Sequence, residues 1–367
     1  MPAPNPTDCY LGFNLVKGLG PVRLRRLIDT FDDVVAAWQA PASALLESGL
    51  DAKTTESLLE TRGSFVPAAL RSRLDGLGAC VLTWDTPGYP ERLRQIDNAP
   101  PVLFMLGEIT PADDWAIGVV GTRQVTPYGR EAATRLAGDL ARRQIAVVSG
   151  LARGVDTLAH TAALDAGGRT IAVLGCGIDQ LYPPENRNLA RRIVAESRGA
   201  IVSDYPLGTR PDAVNFPPRN RIISGLSLGV LIVEAGLGSG ALITQRFALE
   251  QNREVFSVPG SIFNPQSAGT NGLLKQGAKC VTRVEDILEE LKLGMVAEHV
   301  QAVLALPEDP TERALLAWLQ KDADPQHIDA IARGSGLPVH TVSSTLTLME
   351  LKGLVRQVGA MQYVPVR

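Results

Sequence analysis

Between residues 79 and 291 the chain repeats one pattern: a short unbroken apolar run, a turn rich in glycine or proline, then a stretch with helical spacing. The apolar runs fall at 80–84, 116–120, 145–149, 170–174, 200–204, 230–234, 254–258 and 279–282. Most are continuously apolar rather than alternating, which is how strands read when helices cover both faces of a parallel sheet. The helical stretches between and after them are 127–143, 157–166, 186–196, 241–251 and 284–291. Strand–helix alternation forces right-handed crossovers and places ligand sites at the carboxyl ends of the strands. The fold class expected is therefore α/β, with a doubly wound, mostly parallel sheet.

Two segments flank this region. Residues 1–78 read as short helices, and the G-L-G-P turn at Gly18 to Pro21 opens an apolar helix with Pro21 at its first position, where no N–H is needed. The turn resembles a helix-hairpin-helix (SAM-like) unit, with Arg23, Arg25 and Arg26 near a phosphate-accessible turn. A small bundle that only packs or dimerises is the competing reading, and a balance of 8 basic to 9 acidic residues favours it. A linker is expected at 292–309, ending in L-P-E-D-P. The final segment, 310–367, reads as three helices (311–320, 327–333, 341–352) and two strands (354–358, 362–365), the order of a winged helix. Its expected recognition helix has one basic residue, so contact with protein fits it better than contact with DNA.

Composition removes several classes. No apolar run approaches the roughly 20 residues a membrane span needs, and residues 1–8 show neither a positive nor an apolar leader region. Cys9, Cys80, Cys176 and Cys280 are too scattered for a disulfide framework or a metal knuckle, which fits a reduced, cytoplasmic setting. The four histidines (160, 299, 327, 340) show no ligand spacing, so no metal and no cofactor is expected. Net charge is −3, but 29 of the 36 basic residues are arginine, and local clusters rather than the total decide phosphate affinity.

Five strand-end turns carry the chemistry. In V-V-G-T-R-Q-V-T-P-Y-G (119–129), Gly121 ends a strand, Thr122 and Arg123 project beyond it, and Thr126 caps a helix that continues through Tyr128. In S-G-L-A-R-G-V-D-T-L-A-H (149–160), Gly150 and Gly154 bracket Arg153. Asp156 reads equally as a helix cap or a functional group, and His160 more as a packing histidine than a catalyst, although it remains a candidate contact. L-G-C-G-I-D-Q-L-Y (174–182) offers Tyr182 as a stacking face or a buried turn. In N-F-P-P-R-N-R (215–221), Phe216 can stack on a base while Arg219, Asn220 and Arg221 approach an anion; one arginine is equally suited to a structural ion pair. In V-E-A-G-L-G-S-G (233–240), Gly238, Ser239 and Gly240 form a nest of N–H groups for phosphate. These glycines do not follow the dinucleotide-binding pattern.

At these turns the sequence resembles the DNA-processing protein A family (DprA, also called Smf). The family patterns G-S-R-x-x-T-x-Y-G, S-G-L-A-x-G-I-D-x-x-A-H, T-I-A-V-L-G-C-G-x-D-x-x-Y-P, F-P-x-R-N-R-I-I-x-G-L-S and V-E-A-x-x-x-S-G-x-L-x-T are matched nearly throughout, with Thr122 in place of Ser and Val155 in place of Ile. Gly88-Tyr89-Pro90 and Pro100-Pro101 extend the match upstream. The resemblance implies an extended Rossmann-like domain that binds single-stranded DNA and dimerises, between a helical domain and a variable winged helix. It implies protection of incoming strands during natural transformation and help in loading the RecA recombinase. It places Gly121, Thr122, Arg123, Arg153, Arg219, Asn220 and the Gly238-Ser239-Gly240 turn along the DNA groove.

An enzyme is the main alternative. Nucleotide phosphoribohydrolases of related fold carry P-G-G-x-G-T-x-x-E, whose glutamate takes part in hydrolysis. Here the turn runs A-G-L-G-S-G-A-L-I-T-Q, with Gln245 and no glutamate before Glu250, although Glu234 lies just upstream. A Ser-His-Asp site lacks its nucleophile elbow, and a winged-helix regulator would want a basic recognition helix. The expectation is a non-catalytic protein.

Overall fold

The computed structural model describes residues 5–293, 309–319, 325–351, 355–359 and 361–365. Six helices come first: α1 (Pro6–Leu15), α2 (Pro21–Phe31), α3 (Val34–Gln39), α4 (Ala42–Glu47), α5 (Ala52–Ser64) and α6 (Pro67–Leu77). Local chemistry sets their ends. Asn5 caps α1, its side chain accepting from the Thr7 N–H at 3.0 Å, and Gly78 ends α6 in the left-handed conformation at φ 64°. Arg23 folds back onto its own segment, donating to Asp51 at 2.8 Å and to the Gly18 carbonyl at 3.2 Å.

The sheet region follows as β1 (Cys80–Thr83), α7 (Glu91–Arg94), β2 (Val102–Gly107), β3 (Ala116–Val120), α8 (Pro127–Arg142), β4 (Ala146–Ser149), α9 (Val155–Asp165), β5 (Thr170–Val173), α10 (Arg187–Ala195) and β6 (Gly199–Ser203). It continues through α11 (Phe216–Gly225), β7 (Gly229–Ile232), α12 (Ala241–Glu250), β8 (Glu254–Ser257), α13 (Ala268–Lys275), β9 (Lys279–Cys280) and α14 (Val284–Glu290). Nine strands form one sheet in the order β1-β2-β6-β5-β4-β3-β7-β8-β9. Every pairing from β6 through β9 is parallel, whereas β1–β2 and β2–β6 are antiparallel. The doubly wound sheet is as expected, and β3, β4, β5, β6 and β7 are buried along their whole length.

One strand was not anticipated. β2, V-L-F-M-L-G, is as apolar as its neighbours, but it follows Pro100-Pro101, and the four-residue α7 between it and β1 is too short to serve as a parallel crossover. It therefore enters antiparallel and joins β1 to the edge of the parallel set.

The chain runs outward from β3 through β4 and β5 to β6, then returns to the far side of β3 as β7. Helices α8 and α9 pack together, as do α11 and α12, and right-handed crossovers on the two sides of β3 put the two pairs on opposite faces. The turns after β3 and β7 therefore leave in opposite directions and open a crevice between them. This is the topological switch point. It is where such a sheet binds ligands.

The N-terminal helices share a core with the sheet. Phe13 packs edge-on to Trp38 at 5.0 Å between ring centres, both belong to the cluster that holds Phe104 of β2, and Asn14 donates to the Asp204 carbonyl at 3.1 Å. Met1–Leu291 accordingly forms one compact unit. Burying each such large apolar side chain contributes roughly 1.5–3 kcal/mol.

The second unit, Lys292–Arg367, contains α15 (Pro310–Leu319), β10 (Gln326–His327), α16 (Ile328–Ser335), α17 (Val339–Leu351), β11 (Val355–Gly359) and β12 (Gln362–Pro365). It has its own core, which includes Leu315, Ile331, Leu346 and Tyr363. The three strands pair in the order β10-β12-β11, a winged helix with one short strand more than the sequence suggested. Most of the linker expected at 292–309 lies outside the described residues. Among the described residues no helix is long and apolar enough to cross a membrane.

Candidate functional site

The crevice at the switch point has a volume of about 790 Å³ and is lined by turns from both halves of the sheet. One wall is Gly121–Gln124, following β3. The opposite wall is the Gly236–Gly240 turn and the start of α12, and α11 supplies Phe216, Arg219 and Asn220.

The β3 turn is pinned by its backbone. The Thr122 N–H donates to the Glu234 carbonyl at 2.7 Å, and the Thr122 carbonyl accepts from the Val155 N–H at 3.2 Å. Its hydroxyl accepts from the Gln124 N–H at 3.1 Å, so the side chain holds the turn together. Arg123 is left exposed, with its guanidinium 5.6 Å from the centre of the Phe216 ring. Phe216 in turn lies 5.8 Å from Tyr182, the rings tilted by 31°. An arginine over one aromatic ring beside another is the composition that single-stranded nucleic acid uses for phosphate contact and base stacking.

Thr126 caps α8 as the spacing suggested: its hydroxyl accepts from the Gly129 N–H at 3.1 Å. It does not line the crevice, because Glu234 occupies it from behind. Tyr128 is half exposed but also turns away, donating its hydroxyl to the Pro259 carbonyl at 2.6 Å.

The β4 turn is built around two buried groups. Asp156, in the first turn of α9, reaches back to accept from the N–H groups of Gly150 (3.1 Å) and Ala152 (3.3 Å). It is a turn clamp whose edge meets the crevice, and the helix itself begins at Gly154 without a side-chain cap. His160 is fully buried and does not reach the crevice. Its Nε2 accepts from the Leu151 N–H at 3.3 Å. The Thr170 hydroxyl donates to the Val147 carbonyl, so Nδ1–H donates to that hydroxyl at 2.7 Å. The ring is thus held neutral in one tautomer, and burial lowers its pKa to about 3. His160 is a packing histidine, and its complete burial keeps it out of reach of a ligand in the crevice.

The two arginines of α11 separate. Arg221 makes a half-hidden ion pair with Asp204 at 2.6 Å, both side chains at most 15% exposed, and does not line the crevice. Of the two possibilities open in the sequence, the structural one holds for Arg221. Arg219 lies under the crevice floor at 4% exposure, donating to the carbonyls of Gly150 (2.7 Å) and Val173. It sutures the carboxyl ends of β4 and β5. Burial lowers the pKa of Arg219 and raises that of Asp156, and each opposes the other's shift through space. Gly150 is required here: a Cβ would stand 2.5 Å from the Arg219 guanidinium. Gly154 is required as well, at φ 82° with a Cβ position 2.3 Å from the Thr122 carbonyl.

Asn220 spans the crevice, its amide donating to the Gly240 carbonyl at 3.5 Å. In the glycine turn the Ser239 hydroxyl accepts from the Ala241 N–H at 3.3 Å, while the Gly238 N–H has no hydrogen-bond partner among the described residues. Gly238, Ser239 and Gly240 all line the crevice. Arg153 lies just outside it, over a small hollow shared with Gly150, and is engaged by Glu185 at 2.6 Å.

Sequence reasoning missed Gln266, which reaches the crevice from the loop after β8, and Arg130 of α8. Gln266 carries no local signal. Arg130 had one, since it stands one turn into a helix that starts at the strand edge.

Residues 80–292 match the family model described as DNA recombination-mediator protein A, and residues 299–361 match the DprA winged helix domain. The chain belongs to the DprA family. Among DprA relatives, Protein Smf of Synechocystis is 36% identical, over 96% of this chain and 97% of its own length. Protein Smf of Escherichia coli is 39% identical, over 89% and 90%. The structure of DprA from Streptococcus pneumoniae has a TM-score of 0.68 at 32% identity, covering 79% of this chain and 99% of that one. A DprA structure from Helicobacter pylori, described for its single-stranded DNA binding mode, has a TM-score of 0.52 at 30% identity, covering 59% and 96%. The Rossmann-like core and winged helix of this chain are those of the DprA family.

Proposed function

We propose that the switch-point crevice binds single-stranded DNA without catalysis. One observation carries this reading: the exposed Arg123 guanidinium lies over the Phe216 ring, which sits beside Tyr182, and all three line the crevice. Arginine supplies the sequence-independent phosphate term, and the rings supply stacking surfaces that a duplex keeps to itself. The glycine turn adds the Gly238 N–H.

Family membership supports the wider reading: the protein protects incoming strands in natural transformation, works as a homodimer in the cytoplasm and hands its DNA to RecA. A twofold dimer would let one strand engage both crevices, so that the second contact gains from effective concentration.

Against the hydrolase alternative stands Glu234, which is 1% exposed and already accepts hydrogen bonds at both carboxylate oxygens. Titration of labelled single-stranded and duplex DNA at two salt concentrations tests the proposal. Tighter binding of the single strand, weakened in Arg123→Ala, is the expected result. Equal affinity for duplex of the same length would refute it.

A further inference from the structure

A second basic hollow adjoins the crevice. It lies between the first turns of α8 and α9, has a volume of about 320 Å³, and its lining includes Arg123, Arg130 and Arg153 beside the apolar Val125 and Leu158. Arg123 borders both this hollow and the crevice, and a small depression over Arg153 and Tyr182 adjoins the same arginine. The two spaces are therefore neighbours along one surface.

Three guanidinium groups around one cavity repel one another unless an anion sits among them. Among the described residues, Arg153 alone of the three has a carboxylate partner, Glu185, and that pair is 57% exposed on each side. Arg123 and Arg130 are exposed and make no ion pair with any described residue. A second feature points the same way. The Arg153 and Gly154 N–H groups at the start of α9 carry no hydrogen bond among the described residues, and the helix dipole places positive potential there. Among the described residues no acidic side chain lines the hollow. Among the described residues it also has no aromatic ring, which is the difference that matters: the crevice offers surfaces for bases and phosphate, this hollow for phosphate alone.

We propose that this hollow is a second phosphodiester subsite, taken by the part of a single strand that leaves the crevice across Arg123, with Arg130 as its principal cation. The inference rests on the single-strand reading of the crevice and adds a direction to it. The strand leaves toward the α8–α9 face rather than toward the loop after β8, where Ile262 and Phe263 are 83% and 90% exposed.

The test measures binding of oligothymidylates of about 4 and about 16 nucleotides at several salt concentrations. It uses the full chain and its Arg123→Ala, Arg130→Ala and Arg130→Lys variants, each checked for an unchanged thermal midpoint. Arg130→Ala is expected to lose affinity for the long oligonucleotide by about tenfold at low salt. Its log–log salt slope should fall by about 0.7, the value of one phosphate contact on a single strand. The loss should be much smaller for the short oligonucleotide, and Arg130→Lys should restore the slope. Arg130→Ala with an unchanged slope on the long oligonucleotide, while Arg123→Ala lowers it, would overturn the second subsite and leave the crevice standing. Equal losses at both lengths would assign Arg130 to the crevice and also overturn the proposal. Should neither alanine variant differ from the parent, the crevice reading falls and takes this inference with it.

Discussion

Glu234 holds Thr126 at both of its donors: one carboxylate oxygen accepts the Thr126 N–H at 2.9 Å and the other its hydroxyl at 2.7 Å. Asn264 adds a third donor at 3.3 Å. The residue that sequence reasoning kept as a possible hydrolytic group is the post to which the first turn of α8 is tied. Glu234→Gln would set an amide N–H₂ against one of these donors and is expected to cost about 1–3 kcal/mol of stability, read from the urea midpoint. The parent protein should release no base from nucleoside monophosphates. Turnover that disappears in the glutamine variant would return the hydrolase to consideration.

Charge and stacking in the crevice are separable. Arg123→Ala should lower both the affinity for single strands and the salt slope. Phe216→Ala should weaken binding by about 1–3 kcal/mol while leaving the slope in place, because a ring neutralises no phosphate. Equal slope changes in the two variants would show that the arginine–ring pair at 5.6 Å does not divide its work in this way.

Arg153 and Glu185 lie 2.6 Å apart on the surface, so a phosphate approaching Arg153 competes with a carboxylate already in place. Glu185→Gln removes that competitor. Single-strand affinity is expected to rise, most at low salt where exposed charges are least screened. An affinity equal to or below that of the parent would mean that Arg153 stays out of the contact.

The α11 arginines should respond as structural groups. Arg221→Ala strands the Asp204 carboxylate and is expected to cost about 3–5 kcal/mol. Arg219→Ala leaves the Gly150 and Val173 carbonyls without their donor, for about 3 kcal/mol. Denaturant midpoints check both. Because Arg221 does not line the crevice, its folded variant should bind DNA as the parent does, measured below the unfolding transition.

His160 sets an acid limit. Its folded pKa is about 3 against 6.5 unperturbed, so the unfolded chain takes up a proton that the buried ring refuses. Stability should be unaffected by this group above pH 6.5 and fall as pH drops from 6.5 toward 3, by up to about 1.4 kcal/mol per pH unit. Unfolding free energies from urea titrations at pH 7 and pH 5 should differ by about 2 kcal/mol through this group in the parent. They should differ by clearly less in His160→Gln, whatever that variant's absolute stability.

The doubly wound sheet was legible in the chain because its signals are local. An apolar run closed by a glycine needs no partner to be seen, and Thr126 before Pro127 announces a helix start by itself. The same locality explains what escaped. β2 has the composition of its neighbours, but its antiparallel direction depends on where β6 lies in space, 92 or more residues further along the chain.

Arg219 and Arg221 show the same limit at the site. Two residues apart in an R-N-R motif, they are equivalent as sequence. In the fold Arg219 passes beneath Gly150 to join β4 to β5, and Arg221 meets Asp204 beyond β6. Asp156 and His160 look alike in sequence, polar and one turn apart after a strand; both serve the backbone of their own turn, and of the two Asp156 alone meets the crevice, at its edge. The sequence by itself determined which turns stand at the carboxyl edge, since strand periodicity and glycine placement act over a few residues. Which polar side chains on those turns face solvent, and which satisfy buried backbone groups, was decided only when distant strands came together and left carbonyls and N–H groups that had to be paired.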